Sequence, residues 1–261
     1  MTPQYLKIEK TDGTMLITIN RPEVYNALNG AAKAELVSAL QMANSDREVR
    51  SIILTGEGKA FCTGQDLNDR NIQGENSPVD LGHTLETEWI PLVKSLRESE
   101  KIVIGAINGV CAGAGLSVAT ACDLLISKPE VKYISGFSKL GLAPDAGASS
   151  TFSKRLGHQR TLEFFLFNKP LTAEELEYLG MINLVSDEYL EDAKNWASEI
   201  NKLAPQSVSL IKKNTRYSAD VDFESSLERE TEAQRFLGNT DDYQEGLKAF
   251  FEKRAPQFKG H

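Results

Sequence analysis

Apolar positions in the first half of the chain fall in short β-branched runs, and in the second half they recur at helical spacing. Residues 15–20, Met-Leu-Ile-Thr-Ile-Asn, predict a strand with Asp12-Gly13 before it as a hairpin turn. Asn29 can N-cap a helix whose apolar positions include Leu36, Val37, Leu40 and Ala43. Residues 51–55 and 102–106 predict two further strands, and each runs into a glycine-rich turn. The turns read Lys-Ala-Phe-Cys-Thr-Gly-Gln-Asp-Leu at 59–67 and Asn-Gly-Val-Cys-Ala-Gly-Ala-Gly at 108–115. Between them Leu85, Trp89, Leu92, Val93 and Leu96 keep helical spacing, and a helix of small residues is predicted from about Ala114. Residues 124–126 and 133–134 predict short strands.

After Pro144 the texture changes. Helices are predicted over 173–179, 190–203, 208–217, 223–236 and 243–252. Strand–turn–helix units followed by helices give an α/β fold, with a core domain over 1–200 and a C-terminal helical region over 201–261. No repeat of fixed period is visible. Residues 73–78, Gln-Gly-Glu-Asn-Ser-Pro, are polar and rich in turn formers, and they predict a disordered loop.

The turns also carry candidate chemistry. Small residues let main-chain N–H groups approach a ligand closely. Two such turns can aim one N–H each at a single oxygen, an oxyanion hole that stabilises charge developing on a carbonyl. The bland reading is that each turn only joins strand to helix. Asp145, in Gly-Leu-Ala-Pro-Asp-Ala-Gly at 141–147, can move a proton beside such a carbonyl, or it can serve as a turn residue or helix N-cap. Apolar Phe137, Leu140 and Leu142 nearby are expected to desolvate it and raise its pKa. Asp66 is read as structural, holding its turn by side-chain to main-chain bonds. Asp69 and Arg70 are read as a solvated pair or loop anchors, and Glu98, Glu100, Glu174 and Glu175 as surface residues.

Composition narrows the classes. A net charge of -8 and a pI near 5.1 speak against sequence-independent nucleic-acid binding, though not against a small polyanionic ligand held by a few local cations. Cys62, Cys111 and Cys122 are an odd, scattered set, which fits a reducing compartment and no disulfide framework. Two of them sit in the glycine turns, but no histidine lies there to activate a nucleophile, so they read as small apolar filler. His83, His158 and His261 show no metal-ligand spacing, and no metal is expected. Residues 1–7 lack the apolar core of a signal peptide and the last three residues are not of the Ser-Lys-Leu type, so a cytoplasmic location is expected. The apolar stretch 102–126 is interrupted by Asn108, glycines and Asp123, and reads as strand, turn and buried helix rather than a membrane span.

Taken in order, these segments resemble the crotonase (enoyl-CoA hydratase/isomerase) superfamily. The resemblance runs from Asn-Arg-Pro-Glu-Val-Tyr-Asn-Ala-Leu at 20–28 to Phe-Phe-Glu-Lys-Arg-Ala-Pro-Gln-Phe at 250–258, nearly the whole chain. It implies a spiral of ββα units, a C-terminal trimerisation region, a homotrimer or homohexamer, and an acyl-CoA substrate whose CoA is the only cofactor-like group. Gln65 and Ala114 are then the oxyanion-hole donors, and the helix dipole at Ala114 adds to the second. The surface around Val24, Tyr25, Ala60 and Phe61 resembles the family's CoA site. Phe250 and Lys253 match tail residues that reach CoA, often from a neighbouring subunit, although a solvated helix lysine is an equal reading of Lys253. Residues 73–78 resemble a mobile loop over the acyl pocket.

Hydratases of this family carry two glutamates at places that hold Ser117 and Phe137 here. Water addition needs two such groups, so hydration is disfavoured and Asp145 matches an isomerase branch. Segments 61–71 and 137–145 and the tail at 242–246 resemble the branch that opens an epoxidised ring and rearranges it to an oxepin. Gly147-Ala148 stands where the family has a glycine pair, which shifts the expected helix start. Alternatives are an isomerase of linear unsaturated acyl-CoA, another crotonase chemistry using this aspartate, and a non-catalytic acyl-CoA-binding subunit.

Overall fold

Asp12 and Gly13, at φ 48° and 79°, close a two-residue hairpin between β1 (Leu6–Thr11) and β2 (Thr14–Ile19), as their residue types predict. The structure is a computed structural model, and it describes residues 3–69 and 80–261. The predicted loop at 73–78 and Arg70 lie outside the described residues. From β2 the sheet continues in parallel through β3 (Ser51–Gly56), β5 (Ile102–Ile107), β7 (Leu124–Ser127) and β10 (Leu184–Val185), in the order β1-β2-β3-β5-β7-β10.

Period-two alternation splits the two faces of this sheet. Ile52, Leu54, Val103 and Ile107 enter the main core, which takes in Leu36 and Leu40 of α1 (Gly30–Ser45), Leu92 and Leu96 of α3 (Ile90–Arg97), and most of α4 (Ala114–Ala121). Ile53, Ile104, Ala106 and Ile126 face the other way, onto Ala193 and Ala197 of α8 (Tyr189–Asn201). Asn29 caps α1 as expected, its side chain accepting from Ala32 N at 2.8 Å. The helix predicted over 84–96 forms, with α2 (Leu81–Thr84) and α3 joined without a break through a π turn at Leu85–Trp89. Pro91 is the physical reason for the π turn, because its ring crowds the carbonyl four residues back and it has no N–H to offer.

A second sheet of four short strands lies beyond the ends of the first: β4 (Ala60–Cys62), β6 (Val110–Ala112), β8 (Lys132–Ile134) and β9 (Leu171–Thr172), in that order. The pairs β3–β4, β5–β6 and β7–β8 each place one strand in either sheet before the chain returns through a helix, which is the expected spiral of ββα units. Segments 59–67 and 108–115, expected as turns, also contain β4 and β6. Three-residue strands are too short for periodicity to reveal. Two helices not expected from the sequence, α5 (Ala148–Leu156) and α6 (His158–Phe167), are separated by Gly157 at φ 77°.

The predicted C-terminal helices form as α7 (Ala173–Tyr178), α8, α9 (Pro205–Ser218), α10 (Phe223–Leu237) and α11 (Asp241–Glu252). α9 is docked by a buried ion cluster. Asp123 pairs with Lys212 at 2.7 Å and Arg216 at 2.8 Å, and also accepts from Val103 N at 2.8 Å. Burial pushes the Asp123 carboxyl up and the Lys212 ammonium down from their ordinary values. The tail beyond α11 is tied to the start of β3, where Arg50 Nη2 donates to Phe258 O at 2.6 Å. Among the described residues no helix is long and apolar enough to cross a membrane.

Candidate active site

The two glycine turns meet main chain to main chain. A Cβ on Gly64 would stand 2.8 Å from Ala114 N, one on Gly115 would overlap Cys62 O, and one on Gly109 would overlap Lys59 O. Side chains at these positions would force the turns apart, so their glycines are required by the close approach. Three anchors hold the first turn. Asn26 Nδ2 donates to Ala60 O at 2.6 Å, and Asn108 Nδ2 to Ala60 O and Gly58 O, both at 3.0 Å. Arg21 Nη2 meets Asp66 Oδ2 at 2.8 Å in a nearly dry ion pair, while Asp66 Oδ1 accepts from Asn68 N at 3.1 Å. Asp66 is therefore the structural residue it was read to be. Asp69 anchors the loop by accepting from Gly30 N at 2.9 Å.

This scaffold brings Gln65 and Ala114 together. Leu28 N donates to Gly64 O at 2.7 Å and Asp66 N to Leu28 O at 3.1 Å, a parallel bridge around Gln65. Flanking groups that face Leu28 leave the N–H of Gln65 pointing to the opposite side. Ala114 is the first residue of α4, after Gly113 at φ 52°, and a first-turn N–H has no partner within its own helix. The positive end of the helix dipole adds to it.

Asp145 is half-buried, with Oδ1 shielded from solvent. It does not cap α5: the cap residue is Gly147 at φ 93°, and the Asp145 main-chain carbonyl accepts from Ala148 N at 3.0 Å. Ser117 Oγ also donates to that carbonyl, at 2.9 Å. Ala114 and Ser117 are one turn of α4 apart, so the helix that begins with a candidate donor also secures the main chain of the candidate acid. A cavity of about 200 Å³ opens here, lined by Ser117, Ala146 and Gly147 with Val93 and Arg97. Phe137 is buried edge-on to Phe165 at 6.3 Å between centroids. Leu142 is half-buried, but Leu140 is 61% exposed and adds no desolvation, because the left-handed turn at Gly141 directs it to solvent.

The remaining site residues divide. Tyr25, at φ 53° and exposed, is tied to the first turn by Thr63 Oγ1 donating to its carbonyl at 3.1 Å, and Val24 precedes it. Ala60 and Phe61 are in β4 with buried side chains, so only their main chain can face a ligand. Phe250 and Lys253 are exposed at the end of α11. The tail that follows them is bonded through Phe258 to the start of β3, whereas the first turn follows the end of that strand. Cys62, Cys111 and Cys122 are buried and free of disulfides. Burial pushes the Cys62 and Cys122 thiols up to about 12 and Cys111 well above its ordinary value, which leaves them apolar filler. A set of side chains not expected from the sequence surrounds Gln65: Lys33 and Trp89 donate to its side-chain oxygen, and Glu88 pairs with Lys33. One signal was present, since Lys33 shares the apolar stripe of α1 with Leu36, Val37 and Leu40 at i+3, i+4 and i+7.

Paired glycine turns on a ββα spiral, with one aspartate beside them, define a class. Residues 9–261 match the Enoyl-CoA hydratase/isomerase family, and the chain belongs to it. Among individual proteins it is 38% identical to 1,2-epoxyphenylacetyl-CoA isomerase of Escherichia coli (strain K12), over 95% of each chain. It is 31% identical to 2,3-dehydroadipyl-CoA hydratase of the same organism, over 98% of each. The crystal structure of an enoyl-CoA hydratase from Bacillus anthracis superposes with a TM-score of 0.92 at 29% identity, covering 99% of this chain and 100% of that one.

Proposed function

We propose that this chain is an isomerase of acyl-CoA thioesters. The observation that carries the reading is the Ser117–Asp145 bond beside the paired turns. A serine that secures the main chain of Asp145 stands where the family's hydratases carry one glutamate, and buried Phe137 stands where they carry the other. The thioester carbonyl sits between the N–H groups of Gln65 and Ala114, which stabilise the enolate-like charge formed when a neighbouring carbon is deprotonated. Asp145 moves that proton and relocates a double bond. On an epoxidised ring it assists opening and rearrangement to the oxepin, a reading favoured by the name of the E. coli isomerase. CoA binds on the surface of Val24, Tyr25 and the main chain of Ala60 and Phe61, with Phe250 and Lys253 supplied by a neighbouring subunit. Its binding energy, gained far from the reacting atoms, goes into orientation. The assembly is a homotrimer or a pair of trimers, acting in the cytoplasm.

The test is a panel of acyl-CoA thioesters incubated with the protein and followed by mass spectrometry and absorbance, with the ring epoxide and a linear 3-enoyl-CoA included. Conversion to products of unchanged mass is expected, with crotonyl-CoA bound but hydrated very poorly. Hydration of crotonyl-CoA at the rate of a dedicated hydratase would assign the chain to the hydratases among its relatives. Binding without any turnover would make it an acyl-CoA-binding subunit.

A further inference from the structure

We propose that Lys33 is a positioning residue which, with Trp89 and Glu88, locks Gln65 so that its main-chain N–H stays aimed at the substrate carbonyl. The inference rests on the reading of Gln65 as a carbonyl donor and adds what fixes it. Both acceptor directions of the Gln65 side-chain oxygen are filled, by Lys33 Nζ at 2.9 Å and by Trp89 Nε1 at 3.1 Å. Its amide nitrogen donates to Asp66 O at 3.1 Å. An amide held on three sides cannot change rotamer without breaking a bond. Leu28 already bridges the main chain on either side of the residue, so backbone and side chain are constrained together.

Lys33 is an expensive way to hold a glutamine. It is 1% exposed, with its ammonium 4.7 Å from the centroid of the Trp89 ring and ion-paired to Glu88, whose side chain is 35% exposed. Burial of an ion pair adds little net stability compared with apolar residues of similar volume. The apolar stripe of α1 would be served better by methionine or leucine at this place. What the lysine supplies that they cannot is a charged donor to Gln65, and charge-assisted bonds are about twice as strong as neutral ones. The π turn that carries Glu88 and Trp89 is the local irregularity that presents both residues to Lys33 and Gln65.

Lys33→Met tests the proposal, with infrared difference spectra of bound crotonyl-CoA labelled with ¹³C at its carbonyl. In the wild type the bound carbonyl band shifts down from its free position, as two donors polarise it. In Lys33→Met the band returns part of the way, and kcat on whichever acyl-CoA the wild type converts falls about tenfold with KM little changed, a smaller loss than removing a donor outright. Thermal melting falls as well, because the variant leaves the shielded Glu88 Oε2 without its cation, so the band position and the kcat-against-KM split carry the test. Trp89→Phe, which keeps the ring and loses one donor, moves the band and kcat in the same direction by less. Should Lys33→Met fail to fold, Gln65→Met gives the same readout, since it removes the anchored amide and retains the N–H. A folded Lys33→Met protein with wild-type band and kcat would overturn the proposal. A wild-type protein that binds crotonyl-CoA without any band shift would overturn the reading of Gln65 beneath it.

Discussion

Ser117 holds the main chain of Asp145 by donating to its carbonyl. Asp145→Asn keeps the shape and the main-chain bonds to Ser117 and Ala148, and α5 is capped by Gly147 in either case. Turnover should fall by at least about 10²-fold, the lower range for loss of a general acid–base, while acyl-CoA affinity and thermal melting scarcely move. Near-wild-type turnover in a well-folded variant would send the search for the acid elsewhere, measured by the same assay. The glycine turns that hold Gln65 and Ala114, and the Pro144-Asp145 step, stood out in sequence because glycine and proline punctuate the chain there, while the roles given to these residues came from the family resemblance. Lys33, Trp89 and Glu88 did not stand out. A lysine on an apolar stripe gains meaning only from a partner, and its partner Gln65 lies 32 residues away. The buried pair Arg21–Asp66 was half visible, since the turn identified Asp66 but nothing local pointed back 45 residues to Arg21.

At the scale of elements, the long strands β3 and β5 declared themselves through runs of β-branched residues, and most helices through their stripes. β4 and β6 did not, because their pairing partner and not their own pattern makes them strands. Their closeness yields a sharp expectation for Gly115→Ala. The added methyl meets Cys62 O, so the turns must separate; urea denaturation should show a loss of about 1–3 kcal/mol, and turnover should fall further than stability alone explains. Unchanged activity would mean that the turns tolerate a wider gap than the site needs. α11 offers a pH-dependent element. Arg254 grips Glu245 in a two-bond clasp at 2.6 and 2.9 Å, and Gln257 N donates to the same carboxylate at 2.8 Å. The Arg254 bonds first, then that N–H, hold the Glu245 carboxyl down at about 2 against an ordinary 4.5. A depressed carboxyl stabilises the fold above 4.5, and that contribution is lost as pH falls toward 2. Amide protection factors across 254–258, each taken relative to the intrinsic rate at that pH, should therefore fall over this window while those of β3 and β5 hold.

The whole molecule has two ends. The glycine turns lie beyond the C-terminal end of β3, and the tail is fastened at its N-terminal end through Arg50. The C-terminal helices expose Phe223, Leu227, Phe236, Phe250 and Phe251. Light scattering at micromolar concentration should report three or six copies; a monomer would remove the proposed source of Phe250 and Lys253 for the CoA site. A helical region was readable from spacing, yet the spacing is equally satisfied by helices that bury a stripe within the chain and helices that bury it against a copy.

The N–H groups of Gln65 and Ala114 belong to the main chain, and a point mutation cannot erase a main-chain N–H unless it writes proline. Heredity therefore acts unevenly on this site. Substitution at 65 alters how its N–H is held but not the number of donors, while Asp145 becomes asparagine through a single base change. In the proposed mechanism, one base change removes the acid and leaves both carbonyl donors in place. A protein one such step away would still bind thioesters and no longer convert them.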